Sequence, residues 1–310
     1  MQNPKPGIFD WSLLLFLTLI WGFSYYFIKH SLEGFNPTQV ASLRMVIGAA
    51  ALLPFLPQAF RLIPRELLGT IFFVGLVGSF LPAFLYPFAQ QKISSSLAGI
   101  INAFTPICTF GIGVLFFQVK NERLKFIGTI IALTGAIFLI LFKPNAELRA
   151  EGFYLLVAFS VPFLYGINGN TIKAKLGSIP GIPMTAAMYA SLLVLCIPMA
   201  WWSGGFQQIP VALSTGNSFY HLLALSVLGS ALAMALFNVL IQRVHVLFAA
   251  SVTYLMPLVS LVVGWFDGES IHWNDFVGLG CILTGVLIMN GVLAKKAETV
   301  LPQESIVRSE

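Results

Sequence analysis

One arginine stands where an ionised group is expensive. Arg44 lies seven residues into an apolar run that begins at Pro37, roughly 10 Å along a helix axis. A charge inside hydrocarbon costs about 3 kcal/mol or more and faces protein rather than lipid. Three roles are open to it: bonding helix-end carbonyls, snorkelling to the interface, or meeting an anionic group on a substrate. Acidic partners are scarce. Asp10, Glu33, Glu66, Glu122, Glu147, Glu151, Asp267, Glu269, Asp275, Glu298, Glu304 and Glu310 all map to loops, helix ends or the tail. His30, His245 and His272 fall at helix ends, and His221 in a first helical turn. Proton-driven pumps place such groups within the membrane. The sequence therefore predicts facilitated movement down a gradient, with coupling through loop-end carboxylates or the substrate itself as the other route.

Two neutral sets accompany Arg44. Asn102, Thr105, Asn168, Asn170, Asn238 and Thr253 lie within apolar runs, where each needs a hydrogen-bond partner. They serve either as ties between helices or as substrate contacts. Asn102 and Thr253 fall within a turn of Pro106 and Pro257, where a kink frees backbone carbonyls. The second set is aromatic: Trp21, Tyr25, Phe84, Tyr86, Phe88, Tyr165 and Tyr254. Trp21 and Tyr25 are four apart and share a helix face, as do Phe84 and Phe88, with Tyr86 opposite. The candidate substrate-binding residues are Arg44, Trp21, Tyr25, Tyr86, Asn102, Asn168, Asn238 and Tyr254. No catalytic group, metal site or cofactor is expected. Cys108, Cys196 and Cys281 lie in apolar runs away from His or carboxylate and read as small packed hydrophobes.

The elements that must position these residues follow from composition. The 310 residues are 57% hydrophobic and 9% charged, with a mean hydropathy of +0.87. A soluble domain carries about 25% charged residues, so lipid is the solvent that fits. Ten apolar segments of about 18–25 residues can be drawn: 11–29, 37–57, 67–89, 95–117, 124–142, 152–171, 183–202, 218–241, 246–266 and 276–294. The first exceeds a signal-peptide core and reads as a retained helix. With the N-terminus inside, twelve Lys and Arg fall in cytoplasmic segments against four outside, Lys29, Lys92, Lys143 and Arg149. That asymmetry places both termini in the cytoplasm. The net charge of +5 then belongs to cytoplasmic loops and not to nucleic-acid binding.

The chain also repeats itself. With Pro106 on Pro257, Gln91-Lys92-Ile93 falls on Gln242-Arg243-Val244, Ala98 on Ala249 and Gly113 on Gly264. After a one-residue gap, Leu133-Thr134-Gly135 meets Leu283-Thr284-Gly285. Gly22 falls on Gly166 and Lys29 on Lys173, two lysines whose default reading is anchoring by snorkelling. Five helices per half is an odd number, so the second copy enters from the opposite face. Such inverted repeats lead to alternating access. Gly128 with Gly135 and Gly278 with Gly285 are seven apart, which allows close helix packing.

These residues resemble the EamA-type branch of the drug/metabolite transporter superfamily. The resemblance is carried by Leu19-Ile20-Trp21-Gly22-Phe23-Ser24, Leu43-Arg44, Pro106 and Pro257, the Gly128 to Gly135 stretch and its copy Gly278 to Gly285. It implies a ten-helix carrier with both termini inside and a substrate drawn from amino acids, other metabolites or drugs.

The expectation is an all-α membrane protein of two inverted five-helix repeats, 1–145 and 146–295, with a tail over 296–310. Its function would be export of an amino acid or amino-acid-like metabolite across the inner (plasma) membrane, or movement of another metabolite or drug. Export follows from the resemblance alone. The expected partners are a small molecule and the bilayer, with a monomer or homodimer left open. An intramembrane enzyme would need clustered Asp, His or Cys, which the sequence lacks. A receptor or scaffold has no use for two exchangeable halves.

Overall fold

The computed structural model describes residues 6–118, 123–141, 152–268 and 272–289. The loop cations Lys5, Lys120, Lys143, Arg149, Lys295, Lys296 and Arg308 and the tail 296–310 lie outside the described residues. Among the described residues all regular structure is helical. Eight helices are long and apolar enough to cross a membrane: α1 (Ile8–Ser31), α2 (Pro37–Leu62), α3 (Arg65–Ala89), α4 (Ser95–Phe116), α6 (Gly152–Lys175), α7 (Gly181–Trp202), α8 (Ser218–Arg243) and α9 (Val246–Phe266). Two more, α5 (Arg123–Leu141) and α10 (Trp273–Met289), are apolar helices packed on each other. A short helix, Gly205–Thr215, links α7 to α8.

Local chemistry sets the starts. The Asn36 side chain accepts from the Gln39 amide, and the Gln39 side chain accepts from the Asn36 amide, both at 2.9 Å. With Pro37 in the first turn this is a capping box that fixes where α2 begins. Ser94 Oγ caps α4 at 3.3 Å and His245 Nδ1 caps α9 at 3.2 Å, at positions that correspond under the Pro106–Pro257 alignment.

The same correspondence extends to irregularities. α3 winds as a π-helix over Leu76–Phe80, and α8 does so over Leu225–Leu232. The alignment that sets Pro106 on Pro257 lays Gly78-Ser79 on Gly229-Ser230 inside these stretches. α4 breaks at Ala103 and Phe104, and α9 at Ser251. Phe126–Gly135 and Phe276–Gly285 bury and expose their residues in the same order.

Packing repeats as well. α1 lies on α9 as α6 lies on α4, and α2 lies on α8 as α7 lies on α3. The pairs α2–α7, α4–α9 and α5–α10 join counterparts directly. At the last of these a Cβ on Gly135 would stand 2.6 Å from Cys281 Cβ, and one on Gly285 would stand 2.4 Å from Gly128 O. No side chain fits there, so the seven-residue glycine spacing brings these two helices into backbone contact within the chain.

Candidate functional site

α1, α2, α3, α4, α6, α8 and α9 surround a central cavity of about 60 Å³. On that measure one water needs roughly 10–15 Å³, so the cavity has room for a few waters. Its lining includes Trp21, Tyr25, Arg44, Tyr86, Asn102 and Asn168. Six of the eight residues singled out from the sequence therefore meet in one place.

Arg44 separates this cavity from a second of about 30 Å³, walled by Gly78, Ser79, Tyr189 and Gly229. Arg44 Nε donates to Ser230 Oγ, and Ser230 Oγ donates to Leu225 O at 3.1 Å. The acceptor lies five residues back, in the π stretch of α8, so the irregular winding presents the group that orients the guanidinium. Arg44 lines both cavities, and its Nε bond is the one side-chain hydrogen bond it makes among the described residues. Among the described residues lining the cavities, Arg44 is the only ionised side chain.

Trp21 Nε1 donates to Gly229 O at 2.9 Å, and its ring meets Phe237 edge-on at 4.9 Å. The indole thus pins α1 to the π stretch of α8 and turns its apolar face to the cavity. Tyr25 and Tyr86 pack edge-to-face at 5.5 Å. Asn102 accepts from Thr105 Oγ1 at 3.0 Å and lies 3.5 Å from Met256 Sδ. Asn168 lies over Gly78, where a Cβ would stand 2.4 Å from its Cγ, and its buried Oδ1 has no partner.

The other two residues lie elsewhere. Tyr254 is fully buried in a separate apolar cluster with Ile100, Phe104 and Phe110, away from the cavity lining. Asn238 Nδ2 donates to Thr185 Oγ1 at 2.8 Å and ties α8 to α7. Asn170 is a similar tie, donating to Thr109 O and Gly166 O at 2.9 Å. Phe88 packs on Tyr154 near the surface, at 5.2 Å. Sequence reasoning passed over Tyr189, Ser230, Met234 and Phe237. The signal for Ser230 was present: the Gly-Ser pair recurs under the alignment that matches the prolines.

The two ends of the cavity differ. Towards the Lys173 end it shares Thr109 and Val246 with a wider cavity of about 200 Å³, lined also by Phe117, Asn170 and His245. At the opposite end Asp267 pairs with Lys29 and, at 2.8 Å, with His30 Nε2, while His30 Nδ1 meets Glu33 at 2.7 Å. Burial pushes the Asp267 carboxyl up, but the Lys29 and His30 bonds outweigh it and hold it below the ordinary carboxylate value. Lys29 thus forms a specific bridge instead of only snorkelling. Lys173 donates to the carbonyls of Ile241, Gln242 and Val244 at 2.9–3.3 Å.

The chain is similar to known proteins along most of its length. YedA, described as an uncharacterized inner membrane transporter of Escherichia coli K12, is 26% identical over 283 residues, 89% of each chain. A probable terminal-alkyne amino-acid exporter of Streptantibioticus cattleyicolor is 23% identical, covering 94% of this chain and 97% of its own. A probable amino-acid metabolite efflux pump of Salmonella typhimurium is 24% identical, covering 90% and 94%. A crystal structure sharing 16% identity superposes with a TM-score of 0.67 over 93% of this chain and 98% of that one, which is a likeness of fold. The EamA-like transporter family profile matches twice, over residues 10–141 and 152–291, and the chain belongs to that family.

Proposed function

We propose that the chain is a ten-helix secondary transporter of two inverted five-helix repeats, over 1–145 and 146–295 with a tail from 296. It exports a small carboxylate-bearing metabolite, an amino acid or amino-acid-like compound, by alternating access. It would sit in the inner membrane with both termini cytoplasmic. The observation that carries the reading is Arg44, the only ionised side chain among the described residues lining the central cavity, with no carboxylate beside it. A buried guanidinium needs charge-assisted acceptors, and a carboxylate supplies two in matching geometry.

Several features support the mechanism. The end of α1 at His30 meets the start of α8 at His221, with rings 5.1 Å apart. The end of α6 at Lys173 meets the end of α8. So α1 runs against α8 and α6 runs with it, and the two counterparts α1 and α6 are antiparallel. That is the relation an inverted repeat requires. The loop charges favour the Lys173 end as the cytoplasmic one. In this conformation the Asp267 cluster closes the outer side, and the wider cavity opens inward. The relatives named as amino-acid exporters favour that substrate class. Another metabolite or a drug is the second reading, favoured by the apolar aromatic wall.

Counterflow in proteoliposomes tests this. Vesicles preloaded with one unlabelled amino acid or analogue should transiently accumulate the same labelled compound without a pH gradient. Arg44→Ala should lower that flux about a hundredfold, as expected when two charge-assisted hydrogen bonds are lost. Flux unchanged in Arg44→Ala would end the carboxylate assignment.

A further inference from the structure

Resting on the Arg44 reading and narrowing it to the amino-acid-like alternative, we infer that the cargo is an organic monoanion, an aryl carboxylate with a neutral group where an amino acid has its ammonium, so that each turnover moves one negative charge. The argument is a charge count. The described lining holds one cation and no carboxylate. Asp10 and Asp267 lie at opposite ends of the bundle, already paired with Arg243 and with Lys29 and His30. A monoanion brings the cavity to neutrality as it is occluded during the crossing. A zwitterion leaves it at plus one, and a dianion leaves it at minus one. A net charge sealed in a low-dielectric interior is strongly disfavoured.

The rest of the wall agrees. A cargo ammonium would share the cavity with the guanidinium, and any gain against an aromatic face would be opposed by that like charge. The partners offered beyond Arg44 are neutral. Asn168 carries a buried amide oxygen without a partner, an acceptor that takes a hydroxyl or amide N–H donor on the cargo. The body of the cargo would lie among Trp21, Tyr25, Tyr165, Phe237, Met234 and Met256, a surface of rings and thioethers that suits an aryl group.

The consequence is a driving force that needs no intramembrane proton relay. An inside-negative potential pushes a monoanion out of the cell. At equilibrium the concentration ratio is about fifty-fold for 100 mV.

A matched pair tests the charge with wild-type protein alone. Phenylpyruvate and phenylalanine share one skeleton and differ by a keto group in place of an ammonium. Proteoliposomes receive each labelled compound at equal pH on both sides, with an inside-positive potassium diffusion potential imposed by valinomycin. Phenylpyruvate should accumulate towards about fifty-fold at 100 mV, and collapse of the potential should release it. Phenylalanine should not exceed its outside concentration.

Counterflow of phenylalanine without counterflow of phenylpyruvate overturns the monoanion and leaves the Arg44 carboxylate site standing. Accumulation of phenylpyruvate driven by a pH gradient and indifferent to potential overturns the charge movement, since a proton would then travel with the anion. Movement of neither, while another carboxylate exchanges in an Arg44-dependent way, overturns the aryl monoanion alone. Arg44→Lys, which keeps the charge and loses the fork, should retain potential dependence at a lower rate.

Discussion

The two ends of the bundle hold equivalent lysines in different ways. At the C-terminal end of α1, Lys29 bridges to Asp267 just past α9, and His30 joins the same carboxylate. The rings of Tyr26, His30 and His221 crowd together beside it, 4.3–5.5 Å apart. At the C-terminal end of α6, Lys173 holds carbonyls at the end of α8, and a cavity of about 200 Å³ is lined by it and by Phe117 at the end of α4. The pair α1–α9 corresponds to α6–α4. Both pairs pack along their length, but one is latched at its end by an ion cluster and the other has a cavity at the corresponding end. In a molecule of two similar halves, that difference is what distinguishes an inward-open form from an outward-open one. α1 itself is held at both ends, because Asp10 also meets Arg243 at 2.6 Å. Motion is therefore expected where α6 faces α4 before α1 parts from α8.

The strongest way to break the comparison is to fix each gap. In a background with Cys108, Cys196 and Cys281 changed to Ala, Lys29→Cys with Asp267→Cys should join readily through a short bifunctional thiol reagent. Counterflow should then be abolished, because the outer end can no longer open. The inner pair, Lys173→Cys with Phe117→Cys, should join only about a tenth as fast, with its rate rising when the outward-open form is favoured. Equal joining rates at the two ends would remove the asymmetry.

A smaller effect separates the two lysines by stability. Lys173→Met leaves three carbonyls at a helix end without their charged donor, and about 2–3 kcal/mol of stability should go with it. Lys29→Met removes a bridge in which the lysine is 38% exposed, a kind worth about 1 kcal/mol or less. Thermal unfolding in detergent should therefore rank Lys173→Met well below Lys29→Met. The reverse order would mean that the outer cluster, and not the carbonyl cradle, holds the two halves together.

The sequence made some of this legible and left some hidden, for physical reasons. Spans were readable because lipid demands long apolar runs whatever their packing. α5 and α10 were readable through glycines, since only a bare backbone permits that approach. Arg44 was conspicuous because a cation in an apolar run needs a reason. Tyr254 and Asn238 could not be placed. A helix apolar on every side carries little signal about which face is inward, and those two residues turned to neighbouring helices. The π stretches were hidden as well, since no residue type demands that winding. Yet they put Gly229 O against Trp21 and Ser230 against Arg44. The lysines were read as anchors because spacing within one helix does not reveal a partner on another.

The smallest expected effect concerns Asp267, and its sign can be worked out. The carboxyl is held below its ordinary value of 3.8, so the charged form is favoured in the latched state. Its contribution is complete above 3.8 and is lost only as pH falls through the lowered value. Asp267→Asn removes that contribution at neutral pH. With a single reporter thiol at Ser31, which is fully buried at the outer end, labelling by an impermeant reagent from outside should rise about two- to fivefold in the Asn variant, the size expected of a partly exposed ion pair. The wild type and the variant should then converge in mildly acidic-to-strongly acidic buffer only once the pH is taken below 3.8. Convergence well above that value would mean that another titrating group holds the latch. No difference at neutral pH would move the outer barrier away from Asp267 and onto the packed rings of Tyr26, His30 and His221.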